Sequence, residues 1–150
     1  MPYLALAQQL AADPAQASSR LAAATLPPLT PNALRQLSHL ADQHAASRPG
    51  YSYALMAVAN TAANPTQDKN LQAQAAWHLA RAANAWVRPQ LTTQAANQAE
   101  TLFNQLNQPG WAAAARWQQN ALPWTQPNFA HITQTLTAAL ATMQASHLDP

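Results

Sequence analysis

Residues 73–106 read AQAAWHLARAANAWVRPQLTTQAANQAETLFNQL. Two apolar stripes meet in this stretch, one on each side of Pro89. Leu71, Ala75, Leu79, Ala82 and Trp86 recur every three to four residues, and Leu91, Ala95, Leu102 and Leu106 do the same beyond the proline. That period puts each set on one face of an α-helix. Proline lacks an N–H and fits the first helical turn, where that donor would have no intrahelical partner, so Pro89 starts the second helix. The connection is a few residues long, which makes the two helices antiparallel neighbours. Nothing in the chain supports a strand.

The same punctuation runs outward in both directions. Asp13-Pro14 and Thr30-Pro31 each read as an N-cap followed by a first-turn proline; Pro49, Pro109 and Pro127 sit near further starts, and Asp68 caps a helix without one. Helices are expected at about 3–12, 15–25, 31–47, 50–63, 69–87, 90–107, 110–122 and 127–146, with short connections throughout. Tyr51, Leu55, Val58 and Ala62 form the buried stripe of the fourth. Phe129, Ile132, Leu136, Leu140 and Met143 form that of the last. Composition agrees: 38 of 150 residues are Ala, the best helix former, and Gly occurs only at 50 and 110.

Sliding the sequence by 40 residues aligns Leu37 with Trp77 and Trp117, Ala33 with Ala73 and Ala113, Ala59 with Ala99 and Ala139, and Pro49 with Pro89. A fixed period of this size marks helix pairs that each bury an apolar face against the next, so the expected fold is an all-α stack rather than a closed bundle. The chain then divides into an irregular amino-terminal hairpin (1–29) and three helix-pair repeats (30–69, 70–109, 110–149). The first hairpin is expected to cover the end of the stack.

The spacing of small and apolar positions in 73–106 resembles a tetratricopeptide repeat. Ala76, Leu79, Ala80 and Ala83 match the packing positions of its first helix, and Thr92, Ala96 and Ala99, followed by Phe103, match those of its second. Ala80 and Ala99 are the small residues that let the helices approach. The segment Leu106 to Trp117, LNQPGWAAAARW, is similar to the inter-repeat stretch of the 40-residue variety found in bacterial signalling ATPases and in proteins with a CHAT-type caspase-like protease domain. The other copies depart from this pattern: His39 and Gln43 stand at apolar positions, Gln119 and Asn120 replace an apolar and small pair, and Pro123 interrupts the helix. The resemblance implies a short α-solenoid that binds a protein or peptide. Alternatively, it implies an amino-terminal regulatory or scaffold region packed on a protease or signalling-ATPase effector domain of a longer polypeptide.

Composition argues against other function classes. Charged residues are 8% of the chain, and its seven cations are scattered, so the clustered footprint of a nucleic-acid binder is missing. With no Cys, thiolate zinc sites, disulfides and a Cys nucleophile are excluded. No run approaches the roughly eighteen apolar residues of a membrane span, and Met1 to Ala12 has no signal-peptide pattern, so the expected location is cytoplasmic. His39 and His44 are five residues apart, about 140° around a helix, unlike an i, i+4 ligand pair. The five carboxylates lie in separate elements, and there is neither a phosphate loop nor a nucleophile elbow. No catalytic, cofactor or metal site is therefore expected.

Partner binding is expected on the concave face formed by the first helix of each hairpin, through Arg35, Gln36, His39, Gln74, His78, Arg81, Arg116 and Gln119. The tryptophans at 77, 86, 111 and 117 are expected mostly to fill hairpin and inter-repeat packing, with Trp124, beside Pro123, exposed.

Overall fold

The computed structural model describes residues 2–120 and 129–148. Helix α1 spans Pro2–Ala12, α2 Ala17–Ala23 after a 3-10 turn at Pro14–Gln16, α3 Pro31–His44 and α4 Pro49–Ala63; α5 spans Lys69–Ala85, α6 Pro89–Gln105, α7 Pro109–Asn120 and α8 Phe129–Ala145. No strand occurs among the described residues. The local signals act as their chemistry requires at several starts. Thr30 Oγ1 accepts from the Ala33 N–H at 3.2 Å and Asp68 Oδ1 from the Leu71 N–H at 3.0 Å, each satisfying a donor the first turn leaves open. Asp13 behaves differently from the expectation. Its side chain makes no cap bond and is instead held by Arg20 at 3.1 Å, the helix beyond it starting only after the 3-10 turn. Trp124 and Pro127 lie outside the described residues.

Three hairpins, α3/α4, α5/α6 and α7/α8, stack in sequence, each second helix packing on the first helix of the next pair. Successive first helices also touch, α3 with α5 and α5 with α7, a geometry that a stack supplies. Side chains bridge like helices of neighbouring hairpins: Arg81 to Asp42 at 3.5 Å, Asn84 Nδ2 to Gln118 Oε1 at 3.0 Å, and Asn60 Nδ2 to Gln98 Oε1 at 3.4 Å. The 40-residue period is visible in burial, since Ala59, Ala99 and Ala139 are all essentially inaccessible.

This close packing sets the fate of the tryptophans. Of the four that are described, Trp77, Trp86 and Trp117 are only partly buried and Trp111 is 37% exposed. The fully enclosed large side chains are instead Phe103, Leu37, Leu55, Met56 and Val58. Alanine-lined helix contacts are too shallow for an indole, so the rings lie in the grooves between helices, where one edge stays in water.

Three helix ends share one cap. After α5, α6 and α8 the chain turns through a left-handed residue, Val87 (φ 55°), Asn107 (φ 55°) and His147 (φ 57°). The following N–H reaches back to Ala83, Phe103 and Met143 carbonyls at 3.0, 2.9 and 2.9 Å, and the left-handed residue's own N–H to Asn84, Asn104 and Gln144, the paired bonds of a Schellman motif. At the amino terminus α1 lies on α4, fixed by the Tyr3 hydroxyl, which donates to the Pro27 carbonyl at 3.1 Å, and by the Leu29 N–H, which donates to the Ala62 carbonyl at 3.1 Å. It thus covers the second helix of the first repeat.

Candidate functional site

The first helices α3, α5 and α7 carry the expected partner-binding residues, and the fold divides these into separate groups. Arg35, Gln36 and His39 on α3 and Gln74 on α5 are exposed; His39 takes the Gln43 amide at 3.0 Å, along its own helix. His78 and Arg81, one turn apart on α5, are half-buried and meet α3 and α4 around a recess of about 80 Å³ with Ser38, Asp42, Ser52 and Met56. Arg116 and Gln119 turn toward α6 instead. Arg116 Nε reaches Glu100 Oε1 at 3.0 Å, and Gln119 Nε2 donates to Asn97 Oδ1 at 2.8 Å and to Glu100 Oε2 at 3.1 Å. The repeat explains the division: the α5 position equivalent to Arg116 is Ala76, five residues before Arg81 and about 140° from it around the helix.

A ring cluster missing from the expected set joins α5 to α7. Trp77 and Trp111 meet edge to face with centroids 5.2 Å apart, Trp111 stacks on Phe103 at 5.8 Å, and His78 lies edge-on to Trp77 at 4.9 Å. The Arg81 guanidinium sits 5.0 Å from the Trp77 centroid, within cation–π range. Trp77 Nε1 is buried with no acceptor among the described residues. Trp77 recurs at Trp117 in the 40-residue alignment, which marks the indole as inter-repeat packing, and its contact with Trp111 between α5 and α7 is of that kind. Arg81, four residues on along the same helix face, is the neighbour that brings a charge to it.

The electrostatics of this cluster are set by His78. Burial lowers its pKa from 6.5 to about 4; the Arg81 charge acts in the same direction and Asp42 opposes it. At neutral pH the imidazole is therefore uncharged, with one donor and one acceptor nitrogen suited to a peptide group. Arg81 and Asp42 are 39% and 58% exposed, so their pairing is weakly held.

Among the described residues no group of three or more His, Asp or Glu side chains could hold a metal ion. None of the described helices is long and apolar enough to cross a membrane. No family model matches the chain, and neither a curated protein nor a solved structure shows significant similarity to it.

Proposed function

We propose that the chain is a protein-interaction module that holds a peptide or a partner domain on the face built by its first helices. The observation that carries this reading is the Trp111–Trp77–Arg81 surface, in which an exposed indole and a guanidinium stacked on a second indole bridge adjacent hairpins. Trp and Arg are the residues most enriched where single side chains dominate binding energy, since each covers a large area and keeps a hydrogen-bonding edge. Neutral His78 and the weakly paired Asp42 lie beside them. The likeness of 73–106 to a tetratricopeptide repeat supports the same reading, as does the inaccessibility of Ala80 and Ala99. Location in the cytoplasm belongs to this proposal.

Panning a phage-displayed peptide library against the immobilised chain tests it. Selected peptides should lose binding to Trp111→Ala and to Arg81→Ala, and keep it with Arg35→Ala, which lies outside the cluster. Peptides that bind all three variants equally would refute the assignment of this face.

A further inference from the structure

A second concavity lies away from the first-helix face, between α1 and α2 on one side and α4 and the α5–α6 turn on the other. It encloses about 570 Å³ and is open along one side. Leu10, Leu21, Tyr53, Trp86 and Leu91 form its apolar walls. Arg88 is the only ionisable acid or base among the lining residues apart from the Tyr53 phenol, which burial keeps protonated. Its guanidinium is laid 4.4 Å over the Trp86 ring, and no ion pair joins it to a carboxylate among the described residues.

We infer that this groove binds a single-chain acyl carboxylate, with the chain against the apolar walls and the head group on Arg88. The inference is independent of the peptide-binding face. Arg88 is exposed at the rim, so an uncharged apolar ligand would leave it without an ion-pair partner and a cation would be repelled by it; one anionic head on an apolar tail matches both features. The volume is ordinary for a small-molecule site. Trp86 holds Arg88 in place by stacking, so little side-chain freedom is lost when the head group arrives. The first turn of α6 opens at the same rim and adds partial positive charge of the same sign.

Calorimetric titration of the full chain with dodecanoate and dodecyltrimethylammonium below their micellar concentrations, and with dodecanol below its solubility limit, tests this. One dodecanoate should bind per chain, about fivefold or more tighter than dodecanol, and the cationic analogue should bind more weakly than dodecanol. Arg88→Gln should abolish the preference for carboxylate over alcohol without weakening the alcohol. In the unmodified chain, amide shifts induced by dodecanoate should centre on Leu10, Leu21 and Leu91, which decides the matter even if the variant does not fold. Equal binding of acid and alcohol, shifts centred elsewhere, or capture of an acidic amphipathic peptide with no dodecanoate binding would each overturn the proposal.

Discussion

Val87→Gly is expected to stabilise the protein, and the structure supplies its own controls. Val87 ends α5 at φ 55°, in a region where an ordinary L-residue costs roughly 1–2 kcal/mol and a β-branched one lies at the upper end. The conformation is imposed from both sides. The Val87 N–H is bonded to the Asn84 carbonyl at 2.9 Å and the Arg88 N–H to that of Ala83 at 3.0 Å, while Thr92 Oγ1 donates to the Arg88 carbonyl at 2.9 Å. Glycine removes the steric cost and returns roughly 0.5–1 kcal/mol through the greater freedom of the unfolded chain. Little burial is lost, because Val87 is 57% exposed. The net gain is about 1 kcal/mol, or a rise in Tm of about 2–4 °C for a chain of this size.

Asn107 and His147 occupy the same cap at φ 55° and 57°. Asn tolerates the left-handed region, so Asn107→Gly should leave Tm nearly unchanged, and His147→Gly should fall between the two. Thermal unfolding followed by circular dichroism measures all three. Equal shifts across the series, or a lower Tm for Val87→Gly, would refute the claim that side-chain branching at this cap stores the strain.

Two further predictions concern pH and packing. Because the folded pKa of His78 is depressed to about 4 while the unfolded value is near 6.5, the unfolded chain binds the extra proton first; stability should hold above pH 6.5 and fall between pH 6.5 and 4 by at most about 3 kcal/mol. Urea unfolding across that range should show the loss, and His78→Gln should remove most of it. The two glycines should respond to alanine with opposite sign. At Gly110 a Cβ would lie 2.4 Å from the Ser146 Cβ, forcing the end of α8 away at about 1–3 kcal/mol, whereas at Gly50 it would meet only the Trp86 ring at 3.4 Å. Gly50→Ala should therefore gain part of the roughly 1 kcal/mol of helix propensity, read as opposite shifts in Tm.

The parts of the fold written in local chemistry were legible in the sequence. Pro31, Pro49, Pro89 and Pro109 open helices because a missing N–H costs nothing there, and the 40-residue period finds Ala59, Ala99 and Ala139 because identical contacts need identical volumes. What was not legible depends on rotation and on distant chain segments. Arg81 and Arg116 look alike in a list of cations on first helices, yet one faces α3 and the other α6. Placing them needed the repeat register carried to single positions. The groove on α4 depends on where α1 comes to rest, and the bond from Tyr3 to Pro27 that fixes it joins residues 24 apart with no periodic signal between them.

The alanine content that makes the helices easy to recognise also decides where chemistry can sit. Helices separated by methyl groups approach too closely to enclose an indole, and this sequence has four described indoles to place. Three go to the seams between hairpins, Trp77 and Trp111 where α5 meets α7 and Trp86 where the α5–α6 turn meets α4, and Trp117 packs on Ala113, Ala114, Ala139 and Met143 of α7 and α8. Each seam also receives an arginine, since a guanidinium set over an indole keeps part of its edge in water and loses little hydration. Arg81 over Trp77 and Arg88 over Trp86 are the two results. Their surroundings differ in one respect that separates their roles. Asp42 and His78 give the first pair a polar setting, in keeping with the proposed peptide face, while apolar walls and the lack of an ion pair among the described residues give the second the pattern from which an anionic chain is proposed. A core built from smaller residues thus produces two unlike surfaces by the same packing rule.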